Sequence, residues 1–410
     1  MAERALEGVR VVEFTDETGS YCGKLLADLG AEVIKVEPPG GGRQRNAGPF
    51  VTGFEHNPDA SLAFWVHNTS KKSVVLDVDS ADGQAAAKKL ALSADIVIED
   101  FPVGHLAERG LGYSQLHAAK PSLVYTSVTG FGQTGPHAHW AYSDIIGQAT
   151  GGIMTLAGEP ADPPNLIYGQ QANVSASIHA AQGTMVALLH AEATGQGQQV
   201  DVSAQEAVSM SQETAMQQWD FQKKNRVRTG ELGSIPLRLP GWGTLKVKDG
   251  YIFLFIVAPA GEDLPELVKW MREEGAAGEL DNEPYKGVID QMKLGYLTQL
   301  LTNPAELQRV MPLLPVMNQA IGDFFAAKTA KEAYEEGQQR RLLIGIVSQP
   351  KDLAENTQLR TRGWYVTFPE GPVNGATEFP GPPYRLSETP ATIARPPRLG
   401  EHTEAVLAAL

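Results

Sequence analysis

The stretch VRVVEFTDETGSYCGKLLADLGAEVIKVE, residues 9–37, decides the fold class of this 410-residue chain. Two runs rich in Val and Ile, residues 9–14 and 32–37, flank a segment rich in Leu and Ala at residues 24–29. Such a pattern predicts a strand, a helix and a second strand. Strands joined by a helical crossover run parallel and are buried on both faces of their sheet. The stretch therefore predicts the first unit of an α/β domain.

The same alternation continues through the first 200 residues and then changes. Further strands are predicted at residues 73–78, 95–99 and 123–128 and from Gln199, with helices at residues 83–93 and 174–193. Beyond residue 225 the pattern predicts a hairpin at residues 245–255 that turns at Asp249–Gly250, a helical region from about residue 262 to residue 337, and strands at residues 344–347 and 363–367. We expect a large α/β domain with a largely parallel sheet at residues 1–225 and 341–410, interrupted by a small domain at residues 226–340.

The composition restricts the class of function. The chain carries 34 basic and 48 acidic residues, which gives a net charge of −14. That balance disfavours nucleic-acid binding, which needs a basic surface. No apolar run approaches the ~18 residues of a membrane span, and the start MAERALEGVR has no apolar signal segment. We expect a cytoplasmic protein with no membrane partner, in which the single Cys22 is buried and inert.

Sequence patterns alone do not identify a chemical site. The glycine-rich loops at residues 40–42 and 130–135 lack the spacing of a nucleotide-binding motif. His137 and His139 lie two residues apart, but no carboxylate or cysteine beside them completes a metal site, so we expect no metal. We interpret Lys71 and Lys72 as a solvated strand edge. The patterns predict a cytoplasmic α/β protein and leave its activity open.

Read together, the segments of the first 208 residues resemble the class III CoA-transferases, the family of the formyl-CoA, carnitine and bile-acid transferases. The matching segments are LEGVRVVEFT, LLADLGAEVIKVEPPGGG, SVVLDV, ADIVIEDF, GLGYSQL, LVYTSVTGFGQTGP, DIIGQATGG and GQGQQVDVSAQEAV, with LGEHTEAVLAAL at the end of the chain. The resemblance implies a Rossmann-like large domain with a parallel sheet, a smaller α+β domain and an interlocked dimer. It also implies a CoA thioester as substrate, no covalently bound cofactor, and an aspartate that attacks the thioester to form a mixed anhydride.

The family aspartate is replaced in this chain. In the family it lies at the start of a long helix, 22 residues before the Gly-x-Gly that ends the helix, and counting back from Gly195 gives Asn173. A neutral amide lacks the anionic oxygen that forms the anhydride. Asn is also a favourable helix N-cap, so the position can keep a capping role without reactivity. Racemases of the family carry a His where Ser143 stands, which argues against a racemase as well.

The residues that bind CoA in relatives also differ here. Asp79 replaces a lysine near the adenosine, Asp100 replaces an asparagine that contacts CoA, and Glu108 replaces an arginine that reaches the phosphates, with Arg109 one position later. A unit charge pair at about 4 Å is worth roughly 1 kcal/mol in water and about 4 kcal/mol at a near-surface effective dielectric. Acidic residues at these positions repel phosphates that lysine and arginine attract. The resemblance therefore implies a degenerate CoA site at Leu76, Asp79, Asp100, Phe101 and Glu108.

These departures favour one component of a CoA-transferase over a complete enzyme. Some members of the family are heteromers of two paralogues, among them those that transfer CoA from succinyl-CoA to benzylsuccinate. We expect a paralogous catalytic subunit that carries the aspartate and binds CoA, in a heterodimer or heterotetramer with this chain.

Side chains of the small domain are candidates for lining the partner's acceptor pocket, with a position in the domain core as the alternative: Trp219, Arg238, Trp242 and Tyr251. Two other functions stay open for the whole chain. One is a self-sufficient homodimer that uses another carboxylate, such as Asp144. The other is a non-enzymatic binding protein that has kept the fold.

Overall fold

A computed structural model describes residues 4–232, 237–256, 263–373 and 375–410. The chain forms two compact units, a larger one of Met1–Ala157, Asn165–Arg226 and Thr357–Leu410 and a smaller one of Gly158–Pro164 and Val227–Asn356. The return to the larger unit lies at residue 357 and not at the predicted residue 341, because the strand Ile344–Ile346 pairs within the smaller unit. Residues 158–164 join the smaller unit through hydrogen bonds from the Arg228 side chain to backbone carbonyls of Glu159 and Asp162.

The larger unit is built on a six-stranded parallel sheet with the strand order β3-β2-β1-β4-β5-β6. Its strands are β1 (Arg10–Phe14), β2 (Glu32–Glu37), β3 (Lys72–Val75), β4 (Ile96–Glu99), β5 (Val124–Thr129) and β6 (Gln199–Ser203). Val12 of β1 lies beside Ile34 of β2 on one side and Val97 of β4 on the other. This order is the one found in dinucleotide-binding Rossmann folds. The predicted α/β class and the Rossmann-like parallel sheet are confirmed.

Seventeen helices are assigned within the described part of the chain. They are α1 (Ser20–Asp28), α2 (Leu62–His67), α3 (Ala81–Ser93), α4 (Tyr113–Ala119), α5 (Asp144–Thr150), α6 (Gln171–Thr194), α7 (Ala204–Met210), α8 (Ala215–Gln222), α9 (Leu264–Glu273), α10 (Tyr285–Ile289), α11 (Leu294–Thr302), α12 (Pro304–Val310), α13 (Leu314–Ala326), α14 (Ala330–Gln339), α15 (Pro350–Glu355), α16 (Thr357–Thr361) and α17 (Thr403–Ala408). Within the described ranges, none of them is both long and apolar enough to cross a membrane.

Two element boundaries in the larger unit differ from the prediction. β3 ends at Val75 and not at residue 78, because the carbonyl of Asp77 accepts the backbone N–H of Ser80 in a turn that leads into α3. The hydroxyl of Ser80 then caps α3 by accepting the backbone N–H of Gly83. α1 begins at Ser20, four residues before the predicted start at Lys24, since its first turn is stabilised by burial rather than by helix propensity.

The smaller unit combines an antiparallel sheet with helices. Its strands are β7 (Trp242–Lys246), β8 (Tyr251–Phe255) and β9 (Ile344–Ile346). β7 and β8 form the predicted hairpin, and the helices α9–α14 follow, although the predicted start of the helical region at residue 262 lies outside the described residues. Trp270 anchors the core, with its ring edge-to-face with Phe324 at 5.0 Å and Phe325 at 5.7 Å.

Charged residues are buried beside the first strands of the large sheet. The Glu13 carboxylate accepts hydrogen bonds from Lys71 at 2.7 Å and from Lys35 at 3.2 Å, and all three side chains are at most 3% exposed. Arg45 forms a two-point ion pair with Glu37 at 2.6 and 2.9 Å. The interpretation of Lys71 as a solvated strand edge is therefore wrong, because this side chain neutralises a buried carboxylate.

A further antiparallel pair belongs to the segment that returns to the larger unit. It consists of β10 (Tyr365–Phe368) and β11 (Thr377–Pro380), in which Val366 lies opposite Phe379. Trp65 of α2 packs in one apolar cluster with Phe368 of β10 and with Ile393. The returning segment is thus attached to the larger unit by an apolar cluster of its own.

Candidate functional site

The candidate site lies at the carboxyl ends of β1 and β4, which are neighbours at the centre of the large sheet. Connections leave in opposite directions at this point of the strand order, and ligands of open α/β sheets bind in the crevice that results. A cavity of about 270 Å³ opens there. It is lined by Asp16, Glu17, Thr18, Arg43, Asp100, Phe101, Pro102, Val103, Thr129, Gly130, Ala138, His139, Trp140, Ala141, Tyr142, Ser143 and Asn173.

Asn173 lies in the first turn of α6, where the sequence placed the family nucleophile. Its side chain is buried, and its Oδ1 accepts a hydrogen bond from the hydroxyl of Tyr142 at 2.9 Å. The prediction that Asn173 caps the helix is wrong, because the helix begins at Gln171 and the N-cap position is Gln170. The amide of Asn173 therefore contacts Tyr142 and lines the cavity, and it does not cap the helix.

Asp144 supplies the cap of α6 from outside the helix. Its Oδ1 accepts the backbone N–H groups of Ala172 at 2.8 Å and Asn173 at 3.0 Å, and its Oδ2 accepts Gln148 Nε2 at 2.7 Å. A carboxylate at a helix N-terminus satisfies unpaired N–H groups and interacts favourably with the helix dipole. Asp144 does not line the cavity among the described residues. With both oxygens engaged, it is poorly placed to act as a nucleophile.

Tyr142 is the residue at this site that the sequence prediction missed. The prediction considered only Ser143, where racemases carry a histidine, whereas the tyrosine one position earlier reaches Asn173 with its hydroxyl. A Cβ atom on Gly130 would overlap the Tyr142 ring, so the glycine-rich loop after β5 provides the space for it. Burial raises the pKa of Tyr142, and the nearby Asp144 and Glu17 raise it further, which keeps the hydroxyl protonated as a donor.

Asp100 anchors the segment that follows β1. Its two carboxylate oxygens accept the backbone N–H groups of Asp16 at 2.8 Å and Gly19 at 2.9 Å. Burial raises the pKa of Asp100 to about 6, against the lowering effect of these two hydrogen bonds. Asp100 is therefore an internal acceptor, and it fixes the backbone that carries Asp16, Glu17 and Thr18 to the cavity.

The cavity carries more acidic than basic groups. Asp16, Glu17 and Asp100 line it, and Arg43 is the single Lys or Arg among its lining residues. Arg43 lies 3.4 Å from Asp16 and is largely exposed. The pKa of Glu17 is raised by burial and by the charge of Asp16, and Arg43 lowers it in part. This arrangement disfavours a phosphate or another anion.

The predicted CoA-binding residues do not form one cluster. Asp100 and Phe101 line the cavity, but Leu76, Asp79 and Glu108 are absent from its described lining. Asp79 pairs with Arg109, whose Nε and Nη2 lie 2.8 and 2.6 Å from one carboxylate oxygen. The sequence predicted a free negative charge at Asp79, whereas in the structure Arg109 pairs with it.

The remaining two positions are ordinary parts of the surface and core. Glu108 is exposed in the turn before Arg109, and Leu76 is 8% exposed and packs in the apolar core behind β3. Phe101 stacks on His105 with ring centroids 4.6 Å apart. None of these contacts by itself forms a binding site.

The four acceptor-pocket candidates have different environments. Trp219 lies on α8 of the larger unit, not in the small domain, and is 52% exposed. Trp242 is buried in the smaller unit, where its Nε1 donates to the carbonyl of Leu232. Arg238 pairs with Glu231, and Tyr251 is half exposed on β8. Trp242 is thus a residue of the domain core, as the alternative in the sequence analysis proposed, whereas Tyr251 is not.

The histidines and the cysteine of the larger unit have structural surroundings. His137 stacks on Trp140 with ring centroids 3.7 Å apart. Among the described residues, no three His, Cys, Asp or Glu side chains come together in a possible metal site. Cys22 is buried, as predicted, and burial together with the charge of Glu13 raises its thiol pKa to about 12, which makes it inert.

Comparisons with known proteins assign this chain to one family. The family model "CoA-transferase family III" matches residues 6–403. The succinyl-CoA:(R)-benzylsuccinate CoA-transferase subunit BbsE of Thauera aromatica is 33% identical over 403 residues, 97% of this chain and 92% of the relative. The succinate–glutarate CoA-transferase of Agrobacterium fabrum is 29% identical, over 99% of this chain and 95% of the relative. A crystal structure of a CAIB/BAIF family protein from Brucella suis aligns with a TM-score of 0.82 at 26% identity, over 99% of each chain. The chain therefore belongs to CoA-transferase family III.

Proposed function

We propose that this chain is the non-catalytic subunit of a heteromeric CoA-transferase, whose paralogous subunit carries the nucleophile and binds CoA. The observation that carries the proposal is Asn173, a neutral amide that lines the cavity at the first turn of α6. The Thauera relative is named as a subunit and supports the same organisation. From its name we take succinyl-CoA as the proposed donor and benzylsuccinate as the proposed acceptor.

The chemistry of the transfer explains why the amide matters. A carboxylate oxygen attacks the thioester carbonyl, the carbon–sulfur bond breaks, and CoA leaves as a thiolate while a mixed anhydride remains on the protein. Asn173 has one carbonyl oxygen without negative charge, and that oxygen already accepts the Tyr142 hydroxyl. An aspartate at the same position would have a charged oxygen stabilised by the same hydroxyl. The surroundings thus suit a carboxylate that this chain lacks.

The charges at the cavity support binding of CoA by the partner instead. The diphosphate and 3′-phosphate of CoA would meet the carboxylates of Asp16 and Glu17, with Arg43 as the nearby cation. Each like-charge contact at about 4 Å costs roughly 1–4 kcal/mol, depending on exposure. Asp79 no longer belongs to this argument, since it is paired with Arg109.

An exposed apolar surface on the larger unit fits a paralogous chain as its partner. Ile178, Val186 and Leu189 on α6 are 48%, 62% and 61% exposed, although their helix is otherwise packed on the sheet. Tyr168, three residues before α6, is 90% exposed. Contiguous apolar patches of this kind are typical of interaction sites. The interlocked arrangement of the family is the assembly we propose for the pair.

Glu17 favours a second candidate, a self-sufficient transferase. It is a half-buried carboxylate that lines the same cavity as Asn173, and its side chain makes no hydrogen bond to any described residue. Its pKa is raised, as is common for catalytic acids. Glu17 is a better candidate for a replacement nucleophile than Asp144, whose oxygens cap α6.

The experiment compares the chain alone with the chain co-purified with a paralogue that carries the family aspartate. Transfer from succinyl-CoA to benzylsuccinate is measured, and hydroxylamine is added to convert any anhydride into a hydroxamate on the acylated subunit. We expect the chain alone to be at least about 10³-fold less active than the pair, with the hydroxamate on the partner. Calorimetry on the chain alone is expected to give no CoA binding tighter than about 1 mM.

Two results would contradict the proposal and one would select the second candidate. Activity of the chain alone near that of the pair would exclude a non-catalytic role, as would micromolar CoA binding to it. A hydroxamate on this chain that disappears in Glu17→Gln but persists in Asp144→Asn would assign the nucleophile to Glu17. Melting temperatures of both variants control for loss of fold.

A further inference from the structure

A second cavity lies in the returning segment of the larger unit. Its volume is about 550 Å³. It is lined by Leu359, Arg362, Gly363, Trp364, Val366, Gly381, Pro382, Pro383, Tyr384, Arg385, Leu386, Pro390, Ala391 and Ile393. None of these residues lines the cavity at Asn173. The two cavities therefore share no lining residue.

The walls of this cavity are held by backbone pairing and by apolar packing. The backbone N–H of Gly381 donates to the carbonyl of Trp364 at 2.7 Å, just beyond the paired ends of β10 and β11. A Cβ atom on Gly381 would lie 2.6 Å from that carbonyl oxygen, so the close approach needs a glycine. Val366 and Ile393 pack in the cluster around Trp65. The cavity is thus a preformed feature of this segment.

Two arginines with no acidic partner converge on the cavity. Gly363 follows Arg362 with a φ of +59°, and a Cβ atom on it would lie 3.6 Å from Nη2 of Arg385. Within the described residues, neither guanidinium forms an ion pair or a side-chain hydrogen bond, and no Asp or Glu lines the cavity. Arg360 and Arg395, in the same segment, pair with Glu378 and Glu401 at 2.7 Å. Both arginines are exposed, so both guanidinium groups are open to a ligand from solvent.

The other lining groups suit a flat apolar body. Trp364 and Tyr384 are partly buried, and three prolines and several aliphatic residues complete the wall. The Trp364 indole N–H and the Tyr384 hydroxyl also have no hydrogen-bond partner among the described residues, and each can donate. Binding sites for small molecules combine such apolar walls with a few polar groups that fix orientation.

We propose that this cavity binds a small aromatic dicarboxylate. Arginine binds carboxylates through two parallel N–H···O bonds, and two guanidinium groups match two carboxylates. The ring of the ligand would pack against Trp364 and the prolines. The carboxylates would thus be recognised by two arginines without an acidic partner among the described residues, and the ring by the apolar wall.

Calorimetry on the full chain with phthalate as the probe tests the proposal. We expect saturable binding with a Kd below about 1 mM, weaker binding of benzoate, and none of benzene-1,2-dimethanol, which has the same ring without charge. Arg362→Gln and Arg385→Gln should each weaken phthalate binding about tenfold, the loss of one charge-assisted contact. Arg360→Gln makes the same change at a paired arginine and should leave the Kd unchanged.

The proposal is overturned if phthalate does not saturate the protein, or if the diol binds as well as the dianion. Equal Kd values for the wild type and both cavity variants, with melting temperatures unchanged, would overturn it too. If a variant does not fold, Trp364→Leu provides a second test, since it removes the aromatic wall and keeps both arginines; it should raise the Kd of phthalate. Glu17→Gln and Asn173→Asp should not change this Kd, which separates the result from the fate of the proposed function.

Discussion

Replacing Asp100 by Asn tests whether this buried carboxylate holds the segment after β1. In the wild type its two oxygens accept the backbone N–H groups of Asp16 and Gly19. The amide of Asn has one acceptor oxygen, so one of these N–H groups loses its partner. The amide also carries no charge to bury. At neutral pH the loss of one hydrogen bond destabilises the variant, whereas the loss of the buried charge stabilises it. Only the second effect depends on pH, so measurements at two pH values separate them.

The sign and size of the pH effect follow from the shift of the Asp100 pKa, which burial raises from 3.8 to about 6 in the folded protein. An acid whose pKa is raised on folding keeps its proton more readily in the folded state. Its contribution to stability is therefore full below the unfolded pKa and is lost as the pH rises through the folded pKa. The total is about 3 kcal/mol, of which about 2 kcal/mol is lost between pH 4.5 and 7.5.

The measurement is urea unfolding of wild type and Asp100→Asn, followed by circular dichroism at pH 4.5 and pH 7.5. The variant should be less stable than the wild type at pH 4.5 and close to it at pH 7.5. The difference between the two values of ΔΔG should be about 2 kcal/mol. Asp82→Asn makes the same chemical change at an exposed residue of α3 and serves as the control for the loss of one carboxylate outside the core.

A constant ΔΔG for Asp100→Asn across this pH range would refute the argument, because it would mean that the carboxylate has the same proton affinity in the folded and unfolded chain. A ΔΔG that becomes larger at pH 7.5 would refute it more directly. In that case the two N–H groups would stabilise the charge by more than burial destabilises it, and the pKa of Asp100 would lie below its usual value.

Two further predictions concern the fold. Arg45→Ala leaves the buried Glu37 without its cation and should lower the free energy of unfolding by about 3–5 kcal/mol. The double change Arg45→Met with Glu37→Leu removes both charges and should lower it by less. Equal losses of the two variants in urea unfolding would contradict this prediction. Gly197→Ala should be more destabilising than Gly195→Ala, because a Cβ atom on Gly197 would overlap the carbonyl of Leu123, while Gly195 has open space and only the cost of about 1 kcal/mol for its φ of +74°. Melting temperatures that fall equally in these two variants would contradict the second prediction.

The core strands of the fold were predictable because their signal is local. β1, β2, β4 and β5 are short segments rich in Val and Ile, as buried parallel strands usually are. The start of α1 was not predictable from propensity, since Ser20 and Gly23 are weak helix formers. A Cβ atom at Gly23 would overlap the Glu13 carboxylate, so the residue is selected by a tertiary contact that no local pattern encodes.

The position of the site was predictable, but its hydrogen bonds were not. Counting from Gly195 located Asn173, and the structure places it in the cavity at the switch point. Its partners Tyr142 and Asp144 lie 31 and 29 residues earlier in the chain. The sequence assigned the helix cap to Asn173 because Asn is a good cap, whereas the structure gives that role to a carboxylate from α5.

A comparison of charges with the family must also take into account which groups of this chain each acidic residue pairs with. Asp79 is paired with Arg109, so this position does not carry a free negative charge. Asp100 is engaged by two backbone N–H groups and acts through the segment it holds. That segment carries Asp16 and Glu17 to the wall of the cavity. Each oxygen of Asp100 accepts one of the two N–H groups, whereas an asparagine has a single acceptor oxygen, so Asp100 and the acidic segment after β1 act as one structural unit. The proposed repulsion of CoA is thus an effect of Asp16 and Glu17, and Asp100→Asn should weaken it by releasing one of the two contacts that hold their segment.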